Sequence, residues 1–212
     1  MSTPNSLMQS VIDDVVIHTN RPDLVAETQL AVSKATMKMH MTGPRDPATG
    51  LSGAAFYVQD IVSDIVILPL QTETRYEIDL SDYSQLRAVK GIQEWNVPLT
   101  GTEVTYEKLD ENFLFDDYHI EKYDYFYRAG LVVNLRARKL LTKIKLSYYA
   151  FPIVDGATYT SWIASKFKDA IVEEAAATVF RMIGKTDEFK TYQAMTQDNI
   201  SILQSFALEG AV

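Results

Sequence analysis

Few residues in this chain have the types and spacing that chemistry requires. Gly184-Lys-Thr186 supplies the last three letters of a phosphate-binding loop. That loop also needs a glycine five residues earlier, so that backbone amides can cradle phosphate, and position 179 is valine. The residues before Gly184 repeat with helical spacing, so the triplet reads as one helix ending and another starting. No Gly-x-Ser-x-Gly elbow occurs. Gly50-Leu-Ser-Gly53 has the outline of a clamp loop for single-stranded RNA, but it lacks basic surroundings and reads as linker.

Metal chemistry has one candidate. Asp110, Glu111, Asp116 and Asp117 gather carboxylates in a turn, with His119 just beyond. Oxygen donors of this kind suit calcium or magnesium, although the spacing is not that of an EF-hand. The favoured reading is a solvated acidic turn or a salt-bridging patch. An enzyme with an acidic divalent-metal site stays open as a rival. His18, His40 and His119 are too far apart for a local zinc motif. Met37, Met39 and Met41 flank His40, and adaptable helix packing accounts for them better than a soft metal. Glu173 and Glu174 are adjacent in a helical stretch and cannot converge on one bond. No catalytic residue and no cofactor is expected.

Binding is better represented. Arg136, Arg138, Lys139, Lys143 and Lys145 form the one cationic concentration. It suits nucleic-acid phosphates or the acidic surface of an identical subunit, and the second is favoured in so acidic a chain. A nucleic-acid module built on Arg136, Arg138 and Lys139 remains the rival. Tyr123, Tyr125 and Tyr127 alternate and so share one strand face. A tyrosine can bury its ring and keep its hydroxyl bonded, which suits an interface or ordinary sheet packing equally. Ala175-Ala-Ala177 lets a neighbouring backbone approach closely, in this subunit or the next, unless it simply reflects helix propensity. The candidate interface is therefore Tyr123, Tyr125, Tyr127, Arg136, Arg138, Lys139, Ala175 and Ala176.

The elements that must position these residues predict an α+β fold. Residues 3–42 read as a helical hairpin. Leu7, Met8, Val11, Ile12, Val15 and Val16 make its first apolar stripe. Asn20 is expected to cap the second helix, with Pro22 and Asp23 in its first turn. That helix is expected to bury Leu24, Val25, Ala31, Val32, Ala35 and Met39. Residues 43–53 are dense in proline and glycine and read as a loop. Residues 54–155 read as a central antiparallel β region. It contains an alternating strand at 75–80, a strand interrupted by Gly91, a hairpin at Ala129-Gly130, and a following antiparallel strand at 143–149. Residues 157–208 return to helices that pack on the N-terminal ones. Trp162, Ile163, Phe167, Ile171, Ala175, Val179 and Ile183 form one stripe, Gly184 ends it, and Thr186 caps the next helix.

The totals bound the function. The 212 residues are 47% hydrophobic, enough for a real core, and the formal charge is −8. That balance disfavours a general duplex binder. The chain has no cysteine, so disulfides and thiolate sites are excluded. No membrane partner is expected, because the longest apolar runs fall far short of the ~20 residues of a spanning helix.

The ordered pieces of the chain resemble the head-to-tail adaptor (connector) proteins of tailed, especially short-tailed, bacteriophages. The pieces are Thr19-Asn-Arg-Pro-Asp-Leu24 with Glu27-Thr28, Tyr57-Val-Gln-Asp60, Tyr76-Glu-Ile-Asp-Leu80 and Tyr127-Arg-Ala-Gly130. They continue with Tyr148-Tyr-Ala-Phe-Pro152, Trp162-Ile163 and Glu174-Ala-Ala-Ala-Thr-Val-Phe-Arg-Met-Ile-Gly184. The resemblance implies a virion protein at the head-tail junction, assembled in the host cytoplasm. It implies a ring of identical subunits, commonly about twelve, whose interface closes by rotation. The ring would dock on the portal protein, present a platform to a tail or nozzle protein, and let DNA pass without specific binding. A neck or tail-completion protein of the same particle is the alternative within that resemblance.

Overall fold

The computed structural model describes residues 2–41, 61–70, 72–95, 103–109 and 123–209, with side chains to residue 203. The fold is α+β, with an N-terminal helical hairpin, a central, mostly antiparallel sheet and long C-terminal helices. The chain divides into two compact units, Met1–Asp60 with Phe151–Val212, and Ile61–Ala150. No helix among the described residues is long and apolar enough to cross a membrane.

In the helical unit, α1 (Ser6–Thr19) starts at Asn5, whose side chain accepts a hydrogen bond from the Met8 amide at 3.0 Å. This is the N-cap arrangement that satisfies one of the helix's free amides. Asn20 does not cap the second helix as expected. It ends the first in the left-handed region (φ 50°), with its amide donating to the Val16 carbonyl at 2.8 Å. Asparagine tolerates that conformation better than most residues. Asp23 is likewise turned to Arg21 by two hydrogen bonds of 2.8 and 2.7 Å. α2 (Val25–Met41) buries Ala31, Val32, Ala35 and Met39 as expected, together with Thr28, Thr36 and His40, while Val25 is exposed.

The long apolar stripe after residue 161 is carried by two helices rather than one. α3 (Trp162–Lys166) stops at Phe167 (φ −134°, ψ 51°), and α4 (Lys168–Met182) begins there. α4 packs against α1, α2 and α3 and against α5 (Thr186–Glu209). It contributes Ile171, Val172, Ala175, Ala176, Val179 and Phe180 to the unit's core. It ends at Gly184 (φ 75°), where the Lys185 amide donates to the Phe180 carbonyl and the Gly184 amide to the Arg181 carbonyl. This is a Schellman closure, which favours glycine at the left-handed position. Thr186 is already inside α5. The residue before it, Lys185, accepts from the Phe189 amide.

The other unit is a seven-stranded sheet of β1 (Ile61–Ile67), β2 (Arg75–Asp79), β3 (Leu86–Glu94), β4 (Thr105–Lys108), β5 (Tyr125–Ala129), β6 (Val132–Arg136) and β7 (Lys143–Ala150). Its order is β1-β7-β3-β4-β5-β6-β2. All described pairs are antiparallel except β4 and β5. The connection over residues 109–124 is long enough for the crossover that a parallel pair needs. β5 and β6 form the expected hairpin, with Gly130 at φ 62°. The β3 register shifts between Val89 and Gly91, the bulge signalled by that glycine. β7 follows β6 in sequence but lies between β1 and β3. Residues from both halves of the sheet share one buried cluster, including Tyr76, Phe126 and Leu135 on one side and Ile92, Ile144 and Leu146 on the other. These residues, with Tyr106 of β4 between them, make one continuous apolar core along the sheet.

Candidate interface groove

The surface residues with binding chemistry converge on β2, β6 and β5. Alternation along these strands sorts their side chains between two faces. Tyr76, Leu135 and Phe126 are mutual neighbours across the three strands and point into the core, each no more than 2% exposed. On the opposite face the neighbouring residues form two rows. One is Arg75, Arg136 and Tyr125; the other is Glu77, Asn134 and Tyr127. Together with Glu73 they line a groove of about 570 Å³.

Arg136 is the fixed member. Its guanidinium carbon lies 4.6 Å from the centre of the Tyr123 ring, a cation–π arrangement. Its pKa is raised, chiefly by the Tyr125 hydroxyl; burial opposes this, and Tyr123 adds a smaller increase. Tyr125 and Tyr127 are half-buried, and Tyr123 is exposed.

Two other basic residues of this stretch, Arg138 and Lys139, are matched inside the unit. Arg138 pairs with Asp124 at 2.7 Å, and its amide donates to the same carboxylate. Lys139 reaches Glu94 at 2.8 Å. Glu94 stands on β3 with its side chain 5% exposed, so it needs that cation. Burial, reinforced by Glu94, also pushes the nearby Tyr106 hydroxyl well above its usual range. Replacing Lys139 with alanine is expected to destabilise the sheet unit by about 1–2 kcal/mol. Glu94→Gln in the same chain should recover most of the loss, as a urea-unfolding double-mutant cycle would read out.

Ala175 and Ala176 lie elsewhere. Both are fully buried in the helical unit, where α4 packs on its neighbours. The close approach that small side chains permit is therefore made within this chain, and neither residue offers surface to another subunit. Arg75, Glu77 and Asn134 were missed as site residues. The alternation of 75–80 signalled a charged strand face, but nothing local signalled that it adjoins β6.

The remaining candidates have plainer surroundings. His18 Nδ1 lies 2.9 Å from the Tyr192 hydroxyl. His40 is buried, with Nε2 2.9 Å from the Ser161 hydroxyl and its ring edge-on to Trp162. Glu174 pairs with Lys38 of α2 at 2.6 Å, and Glu173 accepts from Asn199 of α5. Gly184-Lys-Thr186 joins two helices, as read from the sequence. Asp110, Glu111, Asp116, Asp117 and His119, and the loop 43–53, lie outside the described residues. Among the described residues no group of three or more acidic or histidine side chains could hold a metal ion. No protein-family model matches this chain, and no curated protein matches it.

Proposed function

We propose that this chain is a virion structural protein, one subunit of a head-to-tail adaptor ring that docks on the portal and lets genomic DNA pass. The ordered sequence pieces that resemble that family support the reading. The observation that carries it is the groove on β2, β6 and β5. Tyrosine and arginine are the residues that protein–protein contacts concentrate, because each offers much contact area with a polar end. Here they stand half-exposed on paired strands, with Arg136 already oriented by its tyrosine neighbours. The net charge of −8 suits a ring around DNA, since genome exit is fast only where the wall does not grip phosphate.

Mass photometry of the purified chain, alone and with the portal ring of its own particle, tests this. Monomer alone and a many-copy complex with portal are expected. No binding to portal contradicts the adaptor assignment. A stable ring formed without portal contradicts the portal-dependent form of it.

A further inference from the structure

We propose that the groove on β2, β6 and β5 takes a side-chain carboxylate from a second copy of this chain, held between Arg75 and Arg136. This assignment rests on the reading of the chain as a ring subunit and names what fills the groove there.

Arg75 and Arg136 are direct cross-strand partners on one face. Directly opposed side chains have Cβ atoms only about 5 Å apart, and like charges so placed repel. A carboxylate lying between two guanidiniums replaces that repulsion with charge-assisted, fork-shaped hydrogen bonds. Arg136 is pre-organised for the contact by Tyr123 and Tyr125, so little side-chain freedom is lost on binding. Arg75 stands exposed on β2, the last strand in the sheet order, where another chain can approach.

The flanking acids decide between kinds of anion. Glu77 follows Arg75 two positions along the same strand face, and Glu73 also lines the groove. A nucleic-acid backbone carries charge at every nucleotide and would bring phosphates onto Glu73 and Glu77. A lone carboxylate on a protein segment meets the arginines and leaves the glutamates to donors of the same segment. A second copy is well suited to supply it. The chain carries 28 acidic against 20 basic residues, and Arg138 and Lys139, the nearest other cations in sequence, are matched to Asp124 and Glu94. In a ring the interface is heterologous, so the groove of one subunit meets a different patch of the next.

The test compares the full-length chain with Arg75→Gln and with Arg75→Glu/Arg136→Glu in portal-dependent assembly. Thermal unfolding of each variant serves as the check on folding. Arg75→Gln alters an exposed edge position with no packing role. Assembly is expected to weaken at least about tenfold in Arg75→Gln and to be lost in the double variant. The Arg75→Gln midpoint should be unchanged or raised by relief of the like-charge contact, whereas the double variant keeps a like-charge pair and loses the Tyr123 contact, so a lower but still cooperative transition is expected there. Mixed with wild type, the double variant should end growing arcs rather than close rings, because its carboxylate patch is intact. Assembly of Arg75→Gln at wild-type strength overturns the assignment. If the wild-type chain itself fails to assemble, the ring reading falls, and binding of two probes to the isolated chain decides the groove. A short poly-glutamate peptide held by wild type but not by the double variant upholds carboxylate recognition. A single-stranded oligonucleotide held in its place, or neither probe held, overturns it.

Discussion

Replacing Tyr159 with alanine is expected to cost the helical unit about 3–5 kcal/mol, the range for deleting a large buried aromatic ring. Tyr159 is 1% exposed and belongs to the core beneath α1, α2 and α4. Its hydroxyl is 2.6 Å from that of Thr36. Thr36 donates its single hydrogen to the Val32 carbonyl at 2.8 Å, so Tyr159 is the donor between them. Tyr159→Phe should therefore cost only about 1 kcal/mol, since Thr36 keeps its bond to Val32. Denaturant unfolding followed by helical circular dichroism separates the two. Equal losses in both variants would show that the hydroxyl, not the ring, holds this region.

The second large effect is expected from a single oxygen. Tyr76 lies in the sheet core at 2% exposure, yet its hydroxyl reaches Leu141 in the turn between β6 and β7. It accepts from the Leu141 amide at 2.6 Å and donates to the Leu141 carbonyl at 3.3 Å. Leu141 is itself buried, so water does not replace the bonds if they are lost. Tyr76→Phe leaves two main-chain groups unsatisfied and is expected to cost about 2–4 kcal/mol, far more than an average hydroxyl. Urea unfolding measures the loss, and hydrogen exchange at the Leu141 amide should quicken in step. An unchanged exchange rate would contradict the bridge.

How much of this was legible in the sequence follows from the range of each interaction. The stripe through Ile171, Ala175 and Val179, the glycine stop at 184 and the hairpin at Gly130 are local patterns, and they appear where those patterns place them. The exchange at Asn20 is also local, but the same residue type favours both a helix start and a left-handed helix end. The break at Phe167 was hidden because the apolar spacing runs through it unbroken. Strand partners are the long-range part. Lys143–Ala150 lies between β1 and β3, which no spacing in its own residues encodes. The same holds for the groove. Tyr125, Tyr127 and Arg136 could be picked out by type and alternation; Tyr123 does not share their strand face, because it precedes β5 across the left-handed Asp124 (φ 63°), and Arg75 joins them only through the pairing of β2 with β6. The expectation for Arg138 and Lys139 depended on carboxylates that sequence distance concealed, Asp124 and Glu94.

Electron cryomicroscopy of the assembled neck of the particle tests the adaptor assignment most directly, since it reports copy number and position together. The account predicts a closed ring of this chain between portal and tail, with the β2–β6–β5 face covered by the adjoining subunit. Isolated copies away from that junction, or a ring whose tyrosine and arginine face stands open to solvent, would contradict it.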